Sequence, residues 1–284
     1  ALAVVAQAAV GARLDLVAGA GRGGGVGGGR GAARAVWGRP PDAANVSTAD
    51  GAPLLRLEDG FLRSVGLGAN WVRPLSWVID RSGMYYDATA PSDLESLLQN
   101  TVFDDELRAR AHALRQAIVS AGITKYNVGV GRWTRPAGDR FVVLVPGQVE
   151  FGASIKYGAL VAKRNIDLLR AVRESRPDAY VVYKPHPDVI AKKRPPGSGE
   201  SDAKHWCDEV VIDIPMHQLI DQVDEVQVLT SLTGFEALLR GKPVVCHGSP
   251  FYAGWSLTED RHTHPRRTRR LELDELVAAA LILY

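Results

Sequence analysis

The segment Phe141-Val142-Val143-Leu144-Val145-Pro146-Gly147 constrains the fold of this chain more than any other. A strand with one face in water alternates apolar and polar residues, so a continuous apolar run ending in Pro-Gly marks a strand covered on both faces, the habit of parallel sheets. The pattern that follows keeps that rhythm. It predicts helix 163–175, strand 179–185, helix 215–224, strand 225–230, helix 233–241, strand 243–248 and helix 272–283. Alternating β-α units of this kind build a doubly wound α/β sheet, whose ligands sit beyond the carboxyl ends of its strands.

Before residue 141 the rhythm differs. Residues 19–31 (GAGRGGGVGGGRG) are too glycine-dense to support a packed element and read as a loop. Gly19, Gly21 and Gly24 match a dinucleotide-loop spacing, but a stretch this rich in glycine matches such spacings by chance. ARAVWG and LLRLEDG read as short strands, and PLSWVID with SGMYYD as a hairpin turning at Arg81-Ser82-Gly83. Ser92 is expected to cap a helix, with Glu95 at the capping-box position. A second helix over 104–121 places Leu107, Ala111, Leu114 and Ile118 on one face. The domains expected are 1–140, 141–270 and a C-terminal helix over 271–284.

The charge balance, 34 basic against 32 acidic residues, gives no electrostatic reason to expect nucleic acid as a partner. Cys207 and Cys246 are too few for a disulfide framework or a four-ligand metal site, so no metal is expected, and a reducing, cytoplasmic setting is. No apolar run approaches 18 residues, and the opening segment has neither a basic region nor Met, so neither a membrane span nor a signal peptide is expected.

Polar residues gather at the predicted strand ends. Lys184-Pro185-His186-Pro187-Asp188 follows one strand, Thr230-Ser231-Leu232-Thr233-Gly234 another, and His247-Gly248-Ser249-Pro250 a third. The first turn of a helix offers unpaired N–H groups and a positive dipole end to a phosphate; alternatively Ser231 or Thr233 caps that helix. His186, framed by prolines, is positioned to donate to a phosphate and stabilise a leaving group. Glu58-Asp59-Gly60 ends a strand with two acids. One reading is a paired-carboxylate site, with one acid as general base and the other held by Arg56 or Arg63; the other is a surface turn. Trp77, Tyr85 and Tyr86 read as core or pocket wall. His205-Trp206-Cys207-Asp208 lacks further ligands for a metal. Arg266, Arg267, Arg269 and Arg270 form a basic run suited either to anionic lipid or to a solvated loop.

Several of these segments together resemble the capsular polysaccharide β-Kdo transferases of the KpsC type: RLEDGFLRSVGLG (56–68), PLSWVID and GMYYDATAPSDLE (74–95), KYN (125–127), VPGQVE (145–150), YKPHPDV (183–189) and TSLTGFEALLRGKPVVCHGSPFYAGW (230–255). The likeness covers roughly residues 36–284 and is closest to the C-terminal of that family's two tandem modules. It implies a GT-B-like pair of Rossmann-type domains facing a cleft, an acceptor-side one over 1–140 and a nucleotide-binding one over 141–270. It implies CMP-β-Kdo as donor, no cofactor, a lipid-linked Kdo acceptor, a tandem transferase module as partner, and peripheral attachment at the inner face of the cytoplasmic membrane. Retention of configuration is implied as well. On the matching positions, donor binding falls to Gln148, Lys184, His186, Pro187, Thr230, Ser231, Thr233, Gly234 and Glu236. Glu58 and Asp59 assist the acceptor, and Arg56, Arg63 and Ser64 serve acceptor or sugar carboxylate, with Lys184 as the other counter-charge.

Two departures from the family pattern stand out. After Gly147-Gln148-Val149-Glu150 the family carries acids, usually a pair, of which one aspartate is the expected nucleophile; this chain reads Phe151-Gly152-Ala153-Ser154. Glu150 is the nearest carboxylate, one residue out of place, and Gly152 marks the position expected to hold Asp. Ser256 stands where the Ala-Gly-Trp segment is usually followed by glycine. The leading expectation is a retaining Kdo transferase module, and its rival is a module that binds a CMP sugar without turnover.

Overall fold

A computed structural model of the protein describes residues 14–16, 33–39 and 54–284; the glycine-rich segment 19–31 lies outside the described residues. The first half carries a four-stranded sheet in the order β1 (Leu14–Leu16), β2 (Ala33–Trp37), β3 (Leu54–Asp59), β4 (Trp77–Asp80). The first three run parallel, and β4 returns antiparallel to β3 with Glu58 opposite Val78 and Asp59 opposite Trp77. The expected hairpin over 74–87 is therefore not formed, because residues 84–87 form a turn and β4 pairs with β3. The cause is local. The Asp80 carboxylate accepts the amides of Ser82 (2.9 Å), Gly83 (2.6 Å) and Asp93 (3.0 Å), which steers the chain into a helix instead of folding it back.

That helix is α1 (Asp93–Asn100), followed by α2 (Asp105–Ser120). Ser92 caps α1 by accepting the Glu95 amide at 3.1 Å, but Glu95 does not reciprocate. Its carboxylate accepts instead from Arg266 at 2.6 Å and Arg267 at 3.0 Å.

The second half begins with β5 (Val142–Pro146), then α3 (Ala153–Gly158), α4 (Asn165–Ser175), β6 (Tyr180–Lys184), α5 (Pro187–Ile190), β7 (Glu209–Val210), α6 (Met216–Gln222), β8 (Glu225–Val228), α7 (Leu232–Leu239), β9 (Val244–Cys246), β10 (Glu259–Asp260) and α8 (Leu273–Ala278), which widens into a π-helical turn at Ala279–Leu283. The six strands are all parallel, in the order β10-β9-β8-β5-β6-β7. Counted within the sheet this is the doubly wound order 3-2-1-4-5-6, whose direction reverses between β5 and β8 and leaves a crevice at their carboxyl ends.

The continuous apolar run has the expected cause. Val142 and Leu144 face a core shared with Phe61, Leu94 and Leu98 of the first half, while Val143 and Val145 face a second core with Leu169 of α4 and Tyr183 of β6. Residues on successive sides of the pleat thus glue different layers. Truncating Leu144 to Ala would cost about 2–5 kcal/mol at such a site.

The C-terminal segment runs back over the first half. α8 packs along α2, with Arg115 bonded to Asp274 at 2.7 Å, and the Tyr284 hydroxyl donates to Asp80 at 2.8 Å. The basic run before it serves that crossing and does not face outward as a set. Arg266 and Arg267 hold Glu95, Arg267 also donates to the carbonyls of Pro250 and Ala253, and Arg269 donates to Thr101 O. No helix among the described residues is long and apolar enough to cross a membrane.

Candidate active site

A cleft with about 1100 Å³ of free space opens at the carboxyl ends of β5, β6 and β8. Its floor is Pro146-Gly147-Gln148 after β5. A Cβ on Gly147 would stand 2.6 Å from the Tyr183 hydroxyl and 3.2 Å from the His186 amide, so only glycine lets the two strand exits close together. Gln148 is buried and fixed from both sides. Its amide donates to Asn165 Oδ1 at 2.9 Å, its Oε1 accepts the Thr230 amide at 2.9 Å, and its Nε2 donates to the Thr230 hydroxyl at 3.0 Å.

The second wall is Thr230-Ser231-Leu232-Thr233 entering α7. Ser231 caps the helix by accepting the Thr233 amide at 3.2 Å, so the capping reading holds, while Ser231, Thr230 and Thr233 also line the cleft. Gly234 does not line it; a Cβ there would collide with the Tyr252 hydroxyl at 2.3 Å, and that hydroxyl donates to Ser231 O.

Lys184, Pro185, His186 and Pro187 form a third wall. His186 Nδ1 accepts the Asp188 amide at 3.1 Å, so in the neutral ring the proton sits on Nε2, the nitrogen left to donate. Burial lowers the His186 pKa, and the Lys125 charge pushes the same way against Asp188, so the ring is neutral near pH 7. Burial likewise lowers Lys184.

The fourth wall comes from the first half: Tyr85, Tyr86, Thr124, Lys125 and Tyr126. The loop that carries Lys125 is clamped to the segment after Glu58-Asp59-Gly60. Lys125 O accepts the amides of Arg63 (3.0 Å) and Ser64 (3.1 Å), Tyr126 O accepts Gly66 N at 2.8 Å, and Asn127, at φ 50°, donates its side-chain amide to Ser64 O at 3.0 Å. The Lys125 amide donates to Glu236 Oε1 at 2.7 Å, which ties the same loop to α7. Burial opposes the Lys125 charge, but Tyr85, Tyr126, Asp59 and Glu58 outweigh it and hold the ammonium above its ordinary pKa. Glu236 is buried, and burial pushes its carboxyl up to about 7.

The remaining sequence-predicted residues stand outside the cleft wall. Burial raises the Glu58 pKa; its Oε1 accepts the Asp59 amide at 3.0 Å, and its Oε2 and the Tyr86 hydroxyl converge on Gly38. Asp59 is held by Arg63 as expected, leaving its Oδ1 buried and without a partner among the described residues. Arg56 does not join them, because it donates to Arg81 O at 3.0 Å. Arg63 is already engaged within the protein: besides Asp59 it donates to Ser64 Oγ at 3.1 Å and Val72 O at 3.0 Å, and Ser64 donates to Gly66 O at 2.7 Å. These two are scaffold for the Lys125 loop. Glu150 is turned into the α4 junction, where it accepts the amides of Asn165 (2.7 Å) and Ser198 (2.8 Å). Phe151 is 76% exposed. Gly152 caps α3 with an extended backbone, and a Cβ there would lie 2.9 Å from Val149 O, so an Asp at 152 requires the turn to open by a few tenths of an ångström. Ser154, two residues on, lines the cleft.

Lys125 is the member of the site that residue patterning alone missed. It follows a helix in a loop with no periodicity, and its only sequence signal is the Lys-Tyr-Asn segment within the family likeness.

The family described as "Capsule polysaccharide biosynthesis protein" matches residues 37–132 and 132–284. The capsule polysaccharide modification protein LipA of Neisseria meningitidis serogroup A is 52% identical over 232 residues, which are 82% of this chain and 33% of that protein. The lipopolysaccharide-processing protein LpsZ of Rhizobium meliloti is 46% identical over 246 residues, 85% of this chain and 56% of that one. The chain thus spans about a third of the length of one and about half of the other. Among solved structures, the β-Kdo 2,7 transferase of Thermosulfurimonas dismutans KpsC is similar with a TM-score of 0.75 at 42% identity, covering 89% of this chain and 77% of that one. The β-Kdo 2,4 transferase of the same protein gives 0.78 at 36% identity, covering 88% and 79%. On the match of both halves to one family model, supported by these relatives, the chain belongs to the capsule polysaccharide biosynthesis protein family.

Proposed function

We propose that this chain is a glycosyltransferase module that moves β-Kdo from CMP-β-Kdo to a lipid-linked Kdo acceptor in capsular polysaccharide synthesis. The observation that carries this reading is the meeting of Gln148, His186, Thr230, Ser231 and Thr233 at the reversal point of the parallel sheet, opposite a lysine brought in by the other half. Hydroxyls, a neutral imidazole N–H and the α7 amides suit the phosphate of a sugar nucleotide, since each donates where negative charge grows as the nucleotide leaves.

In this reading the halves are the two Rossmann-type domains of a GT-B-like fold. Residues 1–140 serve the acceptor, residues 141–270 hold the nucleotide, and the helix over 271–284 crosses back between them. Glu58 and Asp59 lie on the acceptor side, next to Lys125. The module works at the inner face of the cytoplasmic membrane, beside a second transferase module, and retains the configuration of the transferred sugar.

Retention by double displacement needs a carboxylate at the anomeric carbon, and positions 151 and 152 supply none. The rival, a module that binds a CMP sugar without turnover, has no support among the relatives, whose two structural members are both named as transferases.

The test is calorimetric titration with CMP and UDP, followed by transfer from CMP-Kdo made in situ to a Kdo-terminated glycolipid. CMP should bind in preference to UDP, and transfer should rise at least tenfold in Phe151→Asp or Gly152→Asp. Phe151→Asp should fold the more readily, since its side chain is exposed while position 152 crowds Val149 O. A preference for UDP, or no transfer by the chain and both variants, would reject this function.

A further inference from the structure

Lys125 is a lining residue of the cleft whose ammonium makes no hydrogen bond or ion pair within 4.0 Å among the described residues, although its backbone is held at both ends. Lys184 lines the same cleft and likewise has no side-chain hydrogen bond or ion pair among the described residues, whereas the neighbouring arginines are engaged. Arg63 is spent on Asp59, Ser64 and Val72, and Arg240, beneath Glu236, donates to Glu236 O and Ile123 O. The Lys125 ammonium is half-buried and, among the described residues, has no hydrogen bond or ion pair to compete with an incoming anion, so a substrate carboxylate can take it directly.

The loop geometry says where that anion lies. The clamp from Lys125 O to the Arg63 and Ser64 amides ties its loop to the segment that follows the Glu58-Asp59 turn, and the same loop lines the cleft together with His186 and Thr230. Both acids act electrostatically on Lys125, and Lys125 acts on His186. In the proposed function, an anion held between this loop and the wall of His186 and Thr230 is at the junction of nucleotide and sugar. In a CMP-ulosonate that junction carries two anions on one carbon: the phosphate ester and the sugar's own carboxylate.

We infer that Lys125 is the residue that recognises the carboxylate of the transferred ulosonate, with Glu236 as a positioning residue that holds the Lys125 backbone. This deepens the proposed function and rests on it. Lys184, on the strand exit beside Pro185 and His186, lines the same cleft, and the variants below separate its contribution from that of Lys125. A lysine offers a point charge here, with its ammonium 5.2 Å from the centroid of the Tyr126 ring.

The experiment is a binding cycle on the intact chain with three probes: CMP, CMP-3-fluoro-Kdo, whose fluorine slows loss of the sugar, and the same compound with its carboxylate converted to a carboxamide. Wild type should bind the carboxylate at least tenfold more tightly than the carboxamide. Lys125→Met should erase that preference while changing CMP affinity less than threefold; Lys125→Arg should restore part of it, and Lys184→Met should weaken CMP while keeping the preference. If Lys125→Met keeps the preference for the carboxylate, or loses CMP affinity as much as affinity for the carboxylate probe, the inference is overturned. Failure of wild type to bind CMP at all would instead reject the underlying functional reading. Melting curves of both Lys125 variants within about 3 °C of wild type would show that the fold is kept; if Lys125→Met does not fold, Lys125→Gln with the same three probes decides.

Discussion

Gln148 and Thr230 join the two central strand exits by a doubled contact: the Thr230 amide donates to Gln148 Oε1 at 2.9 Å, and Gln148 Nε2 donates to the Thr230 hydroxyl at 3.0 Å. The pair spans the point where the order of the sheet reverses, so it sets the width of the cleft floor. Gln148→Ala leaves a buried amide and hydroxyl without partners and should cost about 1–3 kcal/mol for each group that water cannot reach. Urea unfolding should register that loss, and CMP affinity should fall at least tenfold. Gln148→Glu keeps the acceptor for the Thr230 amide and should recover part of both. Equal loss in the two variants would mean that the contact does not organise the floor.

Glu236 makes stability depend on pH in an unusual direction. Burial pushes its carboxyl up to about 7, against an ordinary value of 4.5, while the Lys125 amide and the charges of Arg240 and Lys125 oppose the shift. Between those values the unfolded chain releases a proton that the folded chain keeps. Its contribution to stability is therefore greatest below pH 4.5, falls as pH rises to about 7 and is level above that. The span amounts to about 3 kcal/mol at most. Glu236→Gln retains an oxygen for the Lys125 amide and removes the titration, so its melting temperature should exceed that of wild type at pH 8, with the difference shrinking toward pH 5. A variant that tracks wild type across this range would place the titrating group elsewhere.

Much of the second half was legible because its signals are local. A five-residue apolar strand, Pro-Gly at its end and polar residues after later strands follow from burial on two faces, and they led to Lys184, His186 and Thr230 in one cleft, while Gln148 came only from the family likeness. What escaped was decided by partners far away in sequence. Glu95 looks like half of a capping box, but its carboxylate bonds Arg266, 171 residues on. The same contact ties Arg266 and Arg267 to α1, which a reading of the arginine run by itself does not reveal. Trp77–Asp80 looks like the start of a hairpin because alternation cannot say which strand lies beside it. The amide partners of Glu150, Asn165 and Ser198, likewise carry no sequence mark.

Ser256 supplies a prediction from backbone geometry alone. Its φ is 66°, in the left-handed region that costs an L-residue about 1–2 kcal/mol and glycine almost nothing. Glycine loses more freedom on folding, by about 0.5–1 kcal/mol, so part of that gain is cancelled. Ser256→Gly should still stabilise the chain by about 0.5–1 kcal/mol in urea unfolding, with CMP binding unchanged. A destabilised variant would contradict the cost assigned to this backbone conformation.

Glu150 separates a structural carboxylate from a catalytic one. Its two oxygens accept the Asn165 amide at 2.7 Å and the Ser198 amide at 2.8 Å, which fixes the start of α4 and the loop before the 200–205 turn. Asn165 in turn exchanges hydrogen bonds with the Gln148 backbone at 2.9 and 2.8 Å, so Glu150 supports the cleft floor through one intermediary. Bonds to an ionised acceptor are worth about 1.5–3 kcal/mol each, and Glu150→Ala should lower stability by an amount in that range, since exposure of Ser198 weakens one of the two. CMP affinity should drop less than fivefold, because Asn165 still grips Gln148 by its side chain. Glu150→Gln keeps one good acceptor and should return about half of the lost stability. The same variant decides the chemistry: an amide cannot form the glycosyl ester that a nucleophile must, so transfer by Glu150→Gln near the wild-type rate would establish Glu150 as a clip for α4, and its abolition with stability intact would return it to the reaction centre.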